Sequence, residues 1–459
     1  TGSNNTSLGQ AALGSNTTAA NNTAVGKSAL AANTTGGDNT AVGKNALAVN
    51  TTGTALNAVG VNALDANTTG SNNVAIGNSA LSANTTAGDN VALGRSALAS
   101  NDTGAKNTCI GNYAGNTGNT VHFNENVAVG YNTLGEVVDS SDHTAVGFEA
   151  QKVDCGSENT AFGFKAARSN HSIRLVALGP FAGQHNNSWP NMFVGYNAGG
   201  SSADITGSNI TGVGYNALKS VTSGSNNTAL GNLALTLNTT GANNIAVGHA
   251  ALDANTTGVD NVSVGVNALS DCTTGDRHTA VGNQCLNAVT TGEHNCGLGF
   301  QAGLAITSGN SNIVIGIESG REITTGSNNI CIGADSGRSN APSGSISTGS
   351  NNVCLGNNSI SNLFCADTSI SSSDSRDKTD VASFNIGLDW VKALRPVTYR
   401  WDRRTWYGTD AEPYGTPDGS KKRARLHIGF LAQEALAIEQ ANGYGSSNDD
   451  SLVVNLTDD

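Results

Sequence analysis

Aromatic residues make up 5% of this 459-residue chain, charged residues 13%, and methionine occurs once. So little aromatic mass argues against a thick core enclosed by one copy of the chain. No apolar run is long enough to span a bilayer, so membrane insertion is not expected. The net charge of −12 is spread thinly, with no basic stripe in the first three quarters of the chain, which argues against nucleic acid as a partner. Eight cysteines form no CxxC pair and no zinc-like spacing with histidine, so neither a metal nor another cofactor is expected. There is no clustered carboxylate pair of the kind glycoside hydrolysis requires. Nor is there a stretch of 3.6-residue apolar spacing long enough for a helical-hairpin repeat.

What the chain has instead is one phrase written many times, as in NNTAVGKSALAANTTG from Asn21 to Gly36. The glycine of its AVG step recurs at Gly9, Gly26, Gly43, Gly60, Gly77, Gly94 and Gly111, always 17 residues apart. Spacings of 16 to 19 follow through Gly130 to Gly214, and the strict 17 then returns as far as Gly333, with Gly356 a displaced last member. A short fixed period is the signature of a solenoid. The residue before the glycine is large and apolar (Leu8, Val25, Val42, Ile76), and alternation across TAVG or VAIG reads as a strand. An Ala-Leu pair ending at Leu30, Leu47 or Leu64 supplies a second inward patch, and NTTG is turn chemistry in which asparagine and glycine tolerate positive φ. Two short strands and two turns per coil are therefore predicted.

Asparagine stands four before the glycine in most units, as in Asn22, Asn39, Asn73, Asn90 and Asn107, and stacked coils would turn these amides into a ladder. About 20 coils at roughly 4.8 Å each give a shaft on the order of 100 Å long. Each coil buries only two or three aliphatic side chains, so the missing burial is expected from neighbouring copies. The segment VAIGNSALSANTTAGDNVALG, Val74 to Gly94, resembles the head repeats of trimeric autotransporter adhesins. That resemblance implies a left-handed β-roll whose chains associate in threes.

Thr1 is already in repeat register without a methionine start, so the chain is expected to be a piece of a longer one. Longer, more varied turns between Thr117 and Ser208 concentrate His122, Phe123, His185, Trp189 and Met192. They are read as eroded repeats with packed loop aromatics, or else as a contact for a receptor or glycan. Cys109, Cys331 and Cys354 take the place of the alanine two before the glycine and are expected to be small buried hydrophobes. Cys272, Cys285 and Cys296 lie in adjacent coils and are expected to be free thiols.

After Ser373 the composition changes: the last 86 residues hold 11 of the 23 Lys and Arg and three of the four Trp. The expected division is a solenoid over 1–356, a linker over 357–373 and a separate domain over 374–459. In that domain Val397 to Trp401 alternates like a strand and Ile428 to Leu436 opens a strand-to-helix passage. Three blocks occur in order: Ser373-Asp374-Ser375-Arg376-Asp377-Lys378, then ALRPVTYRW from Ala393, then IGFLAQE from Ile428. They resemble the intramolecular chaperone of endosialidase-type phage tailspikes and tail fibres. The resemblance implies that this domain trimerises the fibre and then cuts itself away, with Ser373 the nucleophile, Lys378 its general base and Ser373–Asp374 the bond broken. A lysine can serve as that base when desolvation lowers its pKa. It also implies a long helix beyond Val453, whereas the sequence ends at Asp459, so the chaperone is expected to be truncated.

The fold class expected is thus an all-β, homotrimeric β-roll or β-helix solenoid of about 17-residue coils followed by a small α+β chaperone domain. The function expected is a phage tail fibre or similar extracellular appendage, with at most a single-turnover serine autoprotease. The alternative is a bacterial surface adhesin whose terminal domain assists assembly without cutting.

Overall fold

Each coil contributes one strand, and the strands pile up in chain order. The computed structural model describes residues 2–117, 123–138, 140–153, 156–362, 393–400, 416–421, 424, 427–429 and 431–441. By contacts the chain divides into two units, Thr1–Leu363 and Phe364–Asp459. In the first, 21 short strands from Thr6–Leu8 to Val353–Leu355 form a single parallel sheet. Its register places like on like: Thr23 opposite Thr40, Ala24 opposite Ala41, Val25 opposite Val42. The solenoid with coils of about 17 residues is therefore present, and its last coil pairs Ile330 with Val353 across the longer step to Gly356.

Two features differ from expectation. The Ala-Leu segment is not a second strand. Leu30, Leu47 and Leu64 hold φ of +51°, +52° and +51°, the left-handed region, which breaks extended geometry while the backbone still bonds coil to coil, Leu30 N–H to Ala46 O at 3.0 Å. The strand also faces the other way from its apparent pattern. The small central residue points inward, with Ala24, Ala41, Ala58 and Ala75 fully buried, whereas the large apolar residue before the glycine points outward. In most coils the leucine leaves room beside it for alanine only; where glycine stands in the leucine's place, as at Gly199 and Gly320, Phe193 and Val314 fill the central position instead.

The glycine itself is forced. Gly60 has φ +145°, and a Cβ there would lie 2.3 Å from the carbonyl oxygen of Gly77 in the next coil. Other left-handed positions fall five before and two after this glycine, as at Asn21 (+61°) and Ser28 (+58°), rather than within NTTG. The asparagine of NTTG instead turns its side chain into the coil. Asn50 Nδ2 donates to Asn33 Oδ1 at 2.9 Å, Asn67 to Asn50 at 2.9 Å and Asn84 to Asn67 at 2.8 Å. This is a second buried ladder beside the expected one. In the expected ladder Asn22 Oδ1 accepts the Asn39 N–H at 2.9 Å while Asn22 Nδ2 donates to Gly36 O at 3.0 Å. Direct amide-to-amide rungs occur there too, as from Asn107 to Asn90 at 3.0 Å.

Candidate functional site

Two short strands frame the second unit. Val397–Tyr399 pairs antiparallel with His427–Gly429, Val397 opposite Gly429 and Tyr399 opposite His427. Pro396 precedes the first of these strands, a position where its missing N–H costs no ladder bond. The helix Ala432–Ala441 follows the second strand, as the strand-to-helix reading of this stretch required. Arg395, just ahead of the first strand, grips Glu434 in the first helical turn. Its Nε donates to Oε2 at 3.1 Å and its Nη2 to Oε1, a two-pronged contact. That hydrogen bond holds the Glu434 carboxyl below the usual carboxylate range. Both side chains are solvent-exposed, so the pair fixes geometry more than it adds stability. Two of the three sequence blocks, ALRPVTYRW and IGFLAQE, are in this way brought together by strand pairing and one ion pair.

Residues 373–444 match the family model for the chaperone of endosialidase. The match opens on Ser373 and runs past the helix, so the strand pair and the Arg395–Glu434 contact both lie within the chaperone segment. No curated protein matches the chain. Ser373, Asp374 and Lys378 lie outside the described residues.

The middle coils hold what sequence reasoning sorted only in part. Phe123 is fully buried and Trp189 and Met192 are exposed, while His122 lies outside the described residues. A shallow groove of ≈ 380 Å³ runs between Arg174, Pro190, Met192, Asn209 and Thr211. Missed altogether was a spine of rings. Tyr113, Tyr131, Phe148, Phe164, Phe181, Tyr196 and Tyr215 each contact the next, with centroids 5.3 to 5.9 Å apart. Arg95 caps it at 5.3 Å from the Tyr113 ring. The signal was available: seven successive coils carry an aromatic residue one or two places after the glycine.

Five of the six described cysteines in the solenoid, all but Cys296, are buried packing groups. Cys109, Cys331 and Cys354 are buried at the alanine position, and Cys272, Cys285 and Cys296 are free. Burial pushes the thiols of Cys272, Cys285 and Cys331 up to about 12, which removes them as nucleophiles. Among the described residues no group of three or more His, Cys, Asp or Glu is placed to hold a metal ion, and no helix is long and apolar enough to cross a membrane.

Proposed function

We propose that this chain is the shaft and assembly domain of a homotrimeric fibre, a phage tail fibre or comparable extracellular appendage, matured by one self-cleavage. The observation that carries the reading is the chaperone match beginning at Ser373, directly behind a solenoid whose coils bury little more than two alanines and a leucine each. Such a shaft gains from stacking and from neighbours more than from its own core, and an assembly domain at one end supplies the alignment. Exposed Trp189 supports a receptor or glycan contact in the middle coils as part of the same reading.

In the proposed processing, Lys378 in its neutral form takes the proton of the Ser373 hydroxyl, Ser373 Oγ bonds to the carbonyl carbon of the Ser373–Asp374 amide, the Asp374 nitrogen leaves with the proton that Lys378 held, and water then opens the acyl–oxygen bond so formed. The amide between Ser373 and Asp374 is hydrolysed, one water being consumed to give a carboxylate on Ser373 and an amino group on Asp374. Incubating the assembled full chain and weighing its products by mass spectrometry tests this. The expected products end at Ser373 and begin at Asp374, with at least a hundredfold loss of rate in Ser373→Ala and in Lys378→Ala. Cleavage at the same bond in Ser373→Ala would refute the serine role, and an assembled wild-type chain that stays whole would refute processing while leaving the chaperone role intact.

A further inference from the structure

A parallel sheet rolled into a solenoid has an inner face, here lined by alanines, and an outer one. On the outer face each strand presents its last residue and the residue two before it. The last residue is Val, Ile, Leu or Phe in all 21 strands, and none of the residues two before it is charged. The charged residues of the solenoid sit on other edges of the coil, such as Asp38 and Lys106 five before the glycine and Glu149 and Lys165 two after it. This face is solvent-exposed in the single chain: Ile76, Leu93 and Leu230 are 39%, 41% and 48% accessible.

We infer that this outer sheet face is where copies of the chain meet, side by side and in parallel register. Strands about 4.8 Å apart and outward residues roughly 7 Å apart along each strand make the face about 100 Å long and on the order of 700 Å² in projection. One of its two rows is apolar throughout and the other mixes Thr with Val and Ile at most positions, and the face as a whole approaches the roughly 800 Å² per partner of a stable complex. The shape selects the occupant. A globular partner would cover a few coils and leave the rest wet, whereas a second copy carries the same rise per coil and meets every row. An uncharged face also suits self-association, because two identical faces bring together no like charges and strand no buried ion. The inference rests on the assembly reading for the fact of association and adds the face that is used.

Leu230 and Leu237 provide the test. They lie in one coil, with accessibilities of 48% and 50%, but only Leu230 is on the sheet face. Leu230→Cys and Leu237→Cys are made in the full chain and treated with a water-soluble maleimide. Modification of the new thiol is followed by peptide mass mapping against the parent, and light scattering gives the stoichiometry. Leu230→Cys is expected to react at least tenfold more slowly than Leu237→Cys in an associated chain, the two becoming equal in denaturant. A second pair, Leu298→Cys on the face and Val49→Cys off it, at 50% and 44%, guards against a local folding defect. A chain that runs as a monomer sinks both the assembly reading and the face. An associated chain in which the paired thiols react at similar rates, whether both fast or both slow, sinks the face assignment and leaves assembly standing.

Discussion

Two histidines stand where the first ladder has asparagine, and they show how narrowly each rung is specified. His278 Nε2 meets Gly292 O at 2.7 Å while its Nδ1 accepts the Asn295 N–H at 3.1 Å, so the ring must be neutral with its proton on Nε2. A second proton on Nδ1 would face an N–H. His143 is held between Ser140 Oγ at 2.9 Å and Gln151 Nε2 at 3.3 Å, and burial lowers its pKa to about 4 from 6.5. Burial likewise lowers that of His278. Since the unfolded chain takes up these protons near pH 6.5 and the folded one does not, the unfolded state binds more protons in between, and stability falls with acidification from about pH 6.5 toward pH 4. His143 alone accounts for at most about 3–4 kcal/mol of that loss, taking about 1.4 kcal/mol for each pKa unit. Replacing both residues, His143→Asn with His278→Asn, should flatten the slope of urea midpoint against pH in this window. An unchanged slope would show that other groups carry it.

Among the elements, the ladders and the strand face differ in how far they could be read. The first ladder was legible because an amide at a constant offset from a constant glycine must meet its own copies once the coils stack in register. The second was hidden because Asn-Thr-Thr-Gly is also good turn sequence, and only the coil's closure turns Asn33 and Asn50 inward. Period-two alternation likewise separates two faces of a strand without saying which is inside; alanine wins in most coils because the leucine already fills the interior, and Val314 takes its place where Gly320 removes that leucine. The chaperone blocks were legible as a resemblance, but no spacing in the sequence foretells that Arg395 reaches Glu434. Where Leu56 interrupts the first ladder, the second carries more. Gly53 O accepts from both Asn39 at 2.9 Å and Asn50 at 3.0 Å, whereas Gly70 O accepts from Asn67 at 3.0 Å, Leu56 having no amide to offer. Asn67→Ala therefore strands a buried carbonyl that Asn50→Ala does not, and should cost about 1–3 kcal/mol more. Denaturant midpoints of the two variants check this, and equal losses would mean that the ladders do not compensate for each other.

For the whole molecule the difficulty lies in sameness. Along 21 coils whose strands pair like with like, sliding one copy past another by a single coil forfeits one coil of contacts at each end and keeps the rest. Slipped assemblies are consequently separated from the correct one by a small fraction of the total interaction energy, and escaping them means breaking many rows at once. The middle coils, with their 16- to 19-residue spacings and the ring spine from Tyr113 to Tyr215, are a stretch where a slip misaligns unlike surfaces. That penalises slipped states without hastening the search. On the proposed reading a chaperone at one end would shorten the search by aligning one coil before the rest close, and its removal would leave the fibre held by a kinetic barrier. The Ser373→Ala chain, which retains the chaperone, should regain its original stoichiometry and maleimide protection after denaturation and dilution. The released 1–373 shaft, treated identically, should return as heterogeneous, poorly protected material, in yields at least tenfold lower by sedimentation velocity. If the isolated shaft recovers the same particle in the same yield, register is encoded in the coils themselves and the terminal segment serves another end.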